Sequence, residues 1–400
     1  MTRLRIAERL GQDAFLAQTL HRDYSHVPGA LSADERAALV DFDVLNDLIA
    51  RHRLEPPRLR LSADGEILPT HRYAVPVTTR RSTVWQRIHP AELHQQLTAG
   101  ASLVVDQIDH LHEPIGDLAD ELARWLRHPV QVNAYGSWTS REGFGTHWDD
   151  HDVVVVQIQG AKRWTLYGPT RQMPMYRDVA APEEPPAEPV AELVLEAGDL
   201  LYLPRGWWHA VTADQGTHSL HLTCGISPPH TADRLLAWLA DELLTSDLFR
   251  ADLPLHAGEQ DQAAFVTALT KEVVAALEEP RLLQRYADAQ DAEDMGRLRP
   301  SLPHTQSVPA DPDLQVRLTT ARARVTEVLV EGEDLVRLRG AGQEVDAMAA
   351  AAPLFHQLLE TGWHRLGDLA AAAAVPIEDT AALVTELVAA QVATVRGAGR

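Results

Sequence analysis

The chain has 400 residues, enough for about two to four domains of roughly 100 to 200 residues each. Its 57 acidic residues outnumber its 36 lysines and arginines, which gives a formal net charge of -21. Because this charge repels the phosphate backbone that dominates nucleic-acid affinity, general binding to DNA or RNA is not expected. The single cysteine, Cys224, rules out an internal disulfide framework. With neither a signal-peptide core at the start nor an apolar run of roughly 18 residues, the sequence predicts a cytoplasmic protein without a membrane span.

The first part of the chain is predicted to begin with a helix and to continue into strands. Apolar residues recur at helical spacing from Leu39 to Ile49, after a polar start at Ser32 that suits a helix cap. The next segment alternates leucine with arginine, and a hairpin-like turn follows at Asp64-Gly65. A stripe of apolar residues then predicts a helix over residues 115–127.

The segment from Val130 to Ile226 is predicted to be the strand-rich centre of the molecule. Its short β-rich runs are residues 130–135, 153–158, 163–167, 193–195, 200–203 and 220–226. Gly and Pro turns separate these runs, a pattern that favours a barrel or a sandwich. The Pro- and Glu-rich stretch 182–189 interrupts them, and its composition predicts an exposed connecting loop.

The last part of the chain is predicted to be helical and then to resemble a winged helix. Leucine-rich patterns predict helices around residues 235–244 and 265–277, and the proline-rich stretch 299–312 is the best candidate for a linker. Beyond it the pattern predicts a strand over 324–329, helices over 345–359, 365–373 and 377–390, and a closing strand over 392–396. Residues 341–400 carry seven acidic and three basic side chains, a net charge of -4 that opposes DNA docking and favours a structural or protein-contact role.

The sharpest chemical signal is the segment from Thr146 to Asp152. Read as a strand, it points the side chains of His147 and Asp149 to the same face, as a shared metal ion would require. A third ligand is predicted in His209, which follows a strand and a Pro-Arg-Gly turn. Two histidines and one carboxylate form the facial triad of non-haem Fe(II) oxygenases, which leaves coordination positions open for a cosubstrate and dioxygen.

The neighbours of these ligands have less specific roles. His151 has the same strand parity and competes as a ligand, but its position further along favours a substrate-side or pocket-wall role. Trp148 is also predicted to lie on the substrate side. A buried histidine of the core is an equally good interpretation of His151. Asp150 and Asp152 have the opposite parity and are predicted to be ordinary surface or turn-facing carboxylates.

A lysine among inward-facing apolar residues marks the next strand. Lys162, Trp164 and Leu166 share one face, and a buried ammonium is costly unless an anion pairs with it. A cosubstrate carboxylate would be that partner. A bulge would reverse the parity and turn Arg163 inward instead.

Polar residues on two further strands are candidates for lining the site. His221 and Thr223 alternate with apolar residues on one strand, and Asn133 and Tyr135 share a face on another. These side chains could donate hydrogen bonds to a cosubstrate, or they could satisfy buried backbone groups.

Taken together, these motifs resemble those of the JmjC-type cupin oxygenases, and within them the ribosomal oxygenase group, whose members hydroxylate side chains of ribosomal proteins. The segments that carry the resemblance are Asn133-Ala134-Tyr135, Gly143-Phe144, His147 to Asp152, Val156-Gln157 with Gly160, Lys162-Arg163-Trp164, and Gly198 to Gly206 with His209. The resemblance extends over about residues 42–395.

The resemblance implies a double-stranded β-helix that holds Fe(II) through His147, Asp149 and His209. It implies that Lys162 pairs with the distal carboxylate of the cosubstrate 2-oxoglutarate and that Tyr135 assists. It also implies a helical dimerisation segment at about residues 231–300. Relatives often carry a small hydroxyl residue where this chain has Gly225, so that contact differs here.

We therefore expect an α+β protein with three parts. These are a JmjC/cupin catalytic domain with a helical N-terminal part over 1–230, a helical dimerisation domain over 231–300 and a winged-helix-like domain over 301–400. The expected function is Fe(II)- and 2-oxoglutarate-dependent hydroxylation of an Arg or His side chain in a protein or peptide, with a ribosomal protein as the leading candidate. The alternatives are hydroxylation of a biosynthetic peptide or small molecule, and an inactive cupin scaffold that binds a protein partner.

Overall fold

The computed structural model describes residues 4–80, 84–139, 143–180, 183–213 and 218–397. The chain divides into two compact units, with the division between Pro228 and Pro229. This division lies two residues before the predicted end of the catalytic domain, and the separate boundary at residue 300 stays a prediction. No helix in the described ranges is long and apolar enough to cross a membrane.

The first unit combines helices with many short strands. Its helices are α1 (Ile6–Leu10), α2 (Gln12–Gln18), α3 (Ala33–Leu39), α4 (Phe42–Arg51), α5 (Pro90–Thr98) and α6 (Glu113–Leu126). Its strands are β1 (Ser25–Val27), β2 (Leu59–Ala63), β3 (Glu66–Ile67), β4 (Ala74–Thr78), β5 (Val84–Ile88), β6 (Ser102–Val105), β7 (Val130–Ser137), β8 (Asp152–Gln159), β9 (Lys162–Pro169), β10 (Ala191–Leu195), β11 (Leu200–Leu203), β12 (Trp207–Ala213) and β13 (Ser219–Ile226).

Two sheets of this unit build the framework of the site. Among the described residues, the larger sheet has the strand order β1-β11-β8-β13-β7-β6-β2-β3, and the smaller one has the order β10-β9-β12. Every ladder in these two sheets is antiparallel. Apolar side chains from both sheets, including Val155 on β8, Leu166 on β9 and Leu201 on β11, form one core cluster. The sheets therefore pack face to face, as in a double-stranded β-helix.

The sequence pattern explains the central position of β8. Residues 152–158 of this strand are all buried, and β8 pairs with β11 on one side and with β13 on the other. A continuous run of valines suits a strand that is covered on both faces, where alternation with polar residues would leave charges in the core. Helix α6 buries the apolar stripe formed by Ile115, Leu118, Leu122 and Leu126, as its spacing predicts.

The second unit combines helices with two three-stranded sheets in its described residues. Its helices are α7 (Ala232–Glu242), α8 (Asp247–Arg250), α9 (Glu259–Leu277), α10 (Leu282–Ala292), α11 (Ala352–Leu358), α12 (Leu366–Ala373) and α13 (Ile377–Ala389). Its strands are β14 (Gln315–Leu318), β15 (Arg324–Val330), β16 (Glu333–Gly340), β17 (Gln343–Met348), β18 (His364–Arg365) and β19 (Ala393–Arg396). The sheet orders are β18-β14-β19 and β15-β16-β17, and one hydrophobic cluster joins them with α11, α12 and α13.

The prediction of a helix over 345–359 was wrong in its first part. Residues 343–348 form β17, which pairs along its length with β16, and the helix α11 begins only at Ala352. The alternation of Val345 and Ala347 with Glu344 and Asp346 is the period-two pattern of a strand with one face covered. Alanine favours helices, so the alanine-rich residues after this strand made the predicted helix begin too early in the sequence.

Substitution of Gly160 will test how tightly the turn between β8 and β9 is packed. Gly160 has a φ of +65°, and a Cβ atom there would lie 2.0 Å from the carbonyl oxygen of His218. Gly29 has a similar φ of +58° but open space around it, so Gly29→Ala is the matched control. We expect Gly29→Ala to lower the free energy of unfolding by about 1 to 2 kcal/mol and Gly160→Ala to lower it by roughly 1 to 3 kcal/mol more. Chemical denaturation will measure both; equal losses would contradict the close approach.

Candidate metal centre

Two histidines from distant parts of the chain are joined directly through their backbones. The N–H of His147 donates to the carbonyl of His209 at 3.1 Å, and the N–H of His209 donates back to the carbonyl of His147 at 2.8 Å. His209 lies on β12, whereas His147 lies in the segment before β8. This reciprocal pair of hydrogen bonds brings the two imidazole rings to a centroid separation of 4.4 Å.

Each imidazole is oriented by a carbonyl group two residues before it. The Nδ1 atom of His147 lies 2.9 Å from the carbonyl oxygen of Gly145, and that of His209 lies 2.9 Å from the carbonyl oxygen of Trp207. Because a carbonyl only accepts, Nδ1 must carry the proton and Nε2 presents its lone pair. Such bonds to the second nitrogen hold a histidine ready to bind a metal.

Asp149 completes a group of three potential metal ligands. One ligand atom each of His147, Asp149 and His209 lies within 4.8 Å of the other two, and the distance from His209 Nε2 to Asp149 Oδ2 is 3.8 Å. Burial, with the neighbouring His147, lowers the pKa of His209 to about 4. His209 therefore stays neutral at neutral pH, as a metal ligand must. Two imidazole nitrogens and one carboxylate oxygen are the donor set that suits Fe(II), so the residues fit the predicted ion.

The strand geometry used to predict this group was wrong, although the residues do converge. The segment 147–151 contains an isolated bridge and bends, and regular β8 structure starts only at Asp152. On the partner strand, the register between β12 and β9 shifts between Trp208 and His209. A bulge re-aims the side chain that follows it, so both halves of the site depend on irregular backbone.

Lys162 lies inward on β9 without an anionic partner. Its side chain is 5% exposed, with Trp164 and Leu166 on the same buried face, whereas Arg163 is exposed. Burial lowers the pKa of Lys162 to about 7. No described residue forms an ion pair or a hydrogen bond with its ammonium group, so a ligand carboxylate would compensate its buried charge.

Two further polar atoms next to Lys162 also have no hydrogen-bond partner among the described residues. These are Nε1 of Trp164 and Nδ1 of His221, both buried. The ring of Trp164 stacks on His209 at 5.5 Å and meets the ring of His221 edge-on at 6.0 Å. Burial and the charge of Lys162 lower the pKa of His221 well below its usual value. The wall between Lys162 and the metal ligands therefore offers polar groups that an oxygen-rich anion could satisfy.

Tyr135 and Asn133 lie together on β7, as predicted. Tyr135 stacks in parallel on His221 at 4.9 Å, and Asn133 hydrogen-bonds to its hydroxyl. Burial and the charge of Asp149 raise the pKa of Tyr135 to about 12. The Oδ1 atom of Asn133 accepts a hydrogen bond from the backbone N–H of Gln107 at 2.9 Å, so the carbonyl end of this side chain satisfies a backbone group.

Sequence reasoning missed Arg60 as a wall residue. Its guanidinium hydrogen-bonds to the Tyr135 hydroxyl, pairs with Asp106 at 2.9 Å and lies 5.9 Å from the ring centre of Phe144. The alternation of Arg and Leu on β2 shows only that one face is polar. The partners of Arg60 depend on the pairing of β2 with β6 and of β6 with β7, which that pattern does not encode.

His151 lies over Gly225 on the adjoining strand β13. A Cβ atom at Gly225 would come within 3.0 Å of two atoms of the imidazole, whose Nδ1 is 3.0 Å from Oδ1 of Asp150. Thr223 is half-buried on the same strand. Trp148 borders a cavity of about 230 Å³ that also includes Gly206 and Trp208.

The prediction that Asp152 is a surface carboxylate was wrong. Asp152 is 3% exposed and accepts hydrogen bonds from three groups. Strand parity placed it opposite to Asp149, but β8 is covered on both faces, so the outward side is also interior.

A family model matches the part of the chain that contains the site. Residues 107–234 match the family of the JmjC domain, and this range contains the three metal-ligand candidates and Lys162. This match covers about a third of the chain, so residues 107–234 are similar to a JmjC domain, and the predicted JmjC cupin fold is confirmed for this part.

Particular relatives are found by sequence and by structure. The bifunctional lysine-specific demethylase and histidyl-hydroxylase NO66 of Drosophila persimilis is 34% identical over 143 residues, covering 34% of this chain and 21% of that protein. NO66 of Drosophila sechellia is 26% identical over 239 residues, covering 55% of this chain and 33% of that protein. The chain thus spans only about a fifth to a third of these relatives. The ribosomal oxygenase YcfD from Escherichia coli, in complex with cobalt and 2-oxoglutarate, has a TM-score of 0.61 at 18% identity, covering 97% of this chain and 99% of that one, and shares the fold.

Replacement of Lys162 by Met will test whether the lysine is present for binding rather than for stability. Its pKa falls from 10.5 to about 7 in the folded chain, so between these values the unfolded chain binds a proton that the folded chain does not. Stability should therefore rise with pH across this range by roughly 1.4 kcal/mol per pH unit at most. At pH 6 we expect Lys162→Met to be more stable than the parent, and this advantage should disappear near pH 10.5.

Arg163→Met is the matched control, because Arg163 is the exposed neighbour on the same strand. It should gain no stability that depends on pH. Urea denaturation at several pH values measures both variants. A Lys162→Met variant that is less stable than the parent at every pH would show that the ammonium supports the fold.

Proposed function

We propose that this protein is an Fe(II)- and 2-oxoglutarate-dependent oxygenase that hydroxylates a side chain of a protein. The observation that carries the proposal is the combination of two features in one pocket. His147, Asp149 and His209 offer a facial triad of ligands, and Lys162 is a buried cation without an anionic partner among the described residues. A structural metal site would not need such a cation beside it.

Each residue of the pocket has a role in this proposal. His147, Asp149 and His209 hold the iron, and Lys162 pairs with the distal carboxylate of 2-oxoglutarate. Bound together, iron and 2-oxoglutarate supply the oxidation in which one atom of O₂ enters a substrate C–H bond and the other enters succinate, with release of CO₂. The Nε1–H group of Trp164 and the Nδ1 atom of His221, with Tyr135 beside them, orient the keto acid.

Burial of this wall contributes to the chemistry as well as to binding. His209, Lys162 and His221 are all 5% exposed or less, so water has little access to this side of the pocket. Exclusion of water strengthens the pairing of Lys162 with a carboxylate and protects a reactive centre from side reactions. Asp149, with a side chain that is 33% exposed, marks the side from which a substrate enters.

We infer that the substrate is a polypeptide, with an Arg or His residue of a ribosomal protein as the candidate. The segment between β9 and β10 exposes large apolar residues beside the cavity that Trp148 borders, namely Met173, Tyr176 and Val179. Tyr176 is 79% exposed, as expected of a surface that contacts another chain. The net charge of -21 favours a cationic partner. Relatives named as a histidyl-hydroxylase and as a ribosomal oxygenase support the same class of substrate. His151 and Thr223 are proposed to lie on the substrate side and the cosubstrate side of the pocket respectively.

We also propose that the second unit mediates dimerisation through residues 231–300. Every residue of α9 is at least partly exposed, although Val266, Val273 and Leu277 lie within about 20° of one line along the helix. Val266 is 58% exposed and Leu277 is 42% exposed. An apolar stripe on a 19-residue helix normally lies against another surface.

We assign residues 301–400 to a winged-helix-like domain. The sheet β18-β14-β19 with α11, α12 and α13 supports this description. Its acidic composition favours a protein contact over DNA, and a cytoplasmic location fits a protein with a ribosomal-protein substrate.

Anaerobic titration with Fe(II) and 2-oxoglutarate, followed by exposure to O₂, tests the proposed activity. We expect the parent protein to release succinate and to add one oxygen atom to a ribosomal protein, detected by mass spectrometry. Asp149→Asn should lose at least 100-fold in turnover because it removes a charged ligand. Asp13→Asn is the control, since Asp13 is exposed on α2.

Two results would count against the proposal. Absence of metal binding by the parent would favour an inactive scaffold. Succinate release without any mass shift in ribosomal proteins would favour a biosynthetic peptide or a small molecule as substrate.

Charged substitutions on α9 test the dimer. The double variant Val266→Asp/Leu277→Asp places two charges on the apolar stripe of the helix, and we expect it to halve the mass measured by light scattering, because like charges would be buried between two copies. Thr267→Asp adds a charge to an exposed position about 100° around the helix and should leave the mass unchanged. A parent protein that is already monomeric at micromolar concentration would refute the dimer.

A further inference from the structure

We propose that Asp152 is a positioning residue for the metal centre and that His21, from the N-terminal segment, is the side chain that completes it. This inference rests on the proposed function, because it concerns how the metal ligands are held. It assigns a role in metal binding to a residue far from the ligands in the sequence.

Asp152 is the acceptor at the centre of a buried polar cluster. Its Oδ2 atom accepts from the hydroxyl of Tyr202 at 2.5 Å and lies 2.6 Å from Nδ1 of His21. Its Oδ1 atom accepts from the backbone N–H of Arg205 at 3.0 Å. With three donors on one carboxylate that is 3% exposed, its charge is compensated only while all three groups remain in place.

The hydrogen bond to Arg205 links this cluster to the metal ligands. The next residue, Gly206, donates its N–H to the carbonyl of Asp149 at 2.8 Å. Asp152 thus fixes one residue of the turn, and the adjacent residue of that turn fixes the backbone of a ligand. Three residues further along is His209, which bridges to His147. The carboxylate therefore holds the turn from which two ligands take their positions.

Gly206 makes this turn hard to replace by another arrangement. It has a φ of +80°, and a Cβ atom there would lie 2.4 Å from Cδ of Pro174. Both features require glycine at this position, so the turn that Asp149 and Asp152 hold by hydrogen bonds has no room for a side chain at residue 206.

His21 is the accessible member of the cluster. Its side chain is 42% exposed, whereas that of Asp152 is 4% exposed. The backbone N–H of His21 donates to the hydroxyl of Tyr202 at 2.8 Å, so the same residue binds both other members. His21 has a φ of +61°, a left-handed turn of the backbone. This turn directs both the N–H and the imidazole of His21 toward the Asp152 cluster.

A second histidine–aspartate pair provides a matched control. Nε2 of His26 lies 2.9 Å from Oδ2 of Asp199, which is also buried. The backbone of Asp199 accepts a hydrogen bond from Gln157, at the other end of β8 from Asp152. Residues 152 and 157 are separated by roughly 17 Å along a strand. The two pairs join the N-terminal segment to the same sheet at opposite ends, and only the His21–Asp152 pair adjoins the metal ligands.

Titration with Co(II) alone tests the inference. We expect His21→Ala to weaken Co(II) binding roughly tenfold, as loss of an outer partner of a metal site typically does, and to alter the visible Co(II) absorption spectrum. His21→Asn should restore most of the affinity, because its side-chain amide can donate near the position of Nδ1. Tyr202→Phe, which removes another donor to Asp152, should weaken binding in the same direction.

His26→Ala should lower the melting temperature and leave Co(II) affinity within about twofold of the parent. The inference is overturned if His21→Ala and Tyr202→Phe lose stability but keep the parent's Co(II) affinity and spectrum. It is also overturned if His26→Ala weakens binding as much as His21→Ala, because the effect would then be one of general stability. Failure of the parent itself to bind Co(II) would instead contradict the proposed metal centre.

Discussion

The reciprocal backbone hydrogen bonds between His147 and His209 are the constraint on which the site depends. They fix two irregular segments against each other, at 3.1 and 2.8 Å, before any metal contributes. Because the carbonyls of Gly145 and Trp207 also set the protonated nitrogen of each ring, both lone pairs face the same region. Ligands that are already oriented lose little conformational entropy on binding. The free energy of metal binding is therefore not reduced by the cost of ordering the chain.

The pocket beside these ligands is arranged at the expense of stability. An uncompensated ammonium at Lys162, with the unpaired Nε1–H of Trp164 and the unpaired Nδ1 atom of His221, would be a defect in a purely structural core. A methionine of similar length would fill the same space without desolvating a charge. Strain of this kind persists where a ligand relieves it, which is why buried groups with displaced pKa values mark functional sites.

The sequence was informative where one physical rule dominated and misleading where two competed. The valine run of β8 and the Gly and Pro turns around it predicted the central strands, and the pattern around His147, Asp149 and His209 predicted three side chains that the fold does bring together. Strand parity failed at Asp152. The parity argument assumes that only one face of a strand is buried, whereas both faces of β8 are covered. Arg60 could not be predicted at all, since its contact with Tyr135 follows from the order of strands β2, β6 and β7 and not from any local pattern.

The same long-range order gives a physical reason for the glycine at 225, where the family resemblance implies a small hydroxyl residue. Residue 225 lies on β13 opposite Gln131, where an added Cβ atom would meet the His151 ring at 3.0 Å. A side chain at 225 would therefore displace the His151 imidazole by a few tenths of an ångström, and the glycine leaves the ring in its place. The polar group at this point of the wall thus comes from the segment that carries Asp149 and is held by Asp150, instead of from the strand. Because residues 151 and 225 are in close contact, a substitution at either one would change the shape of this part of the wall. The roles of the two residues are therefore linked.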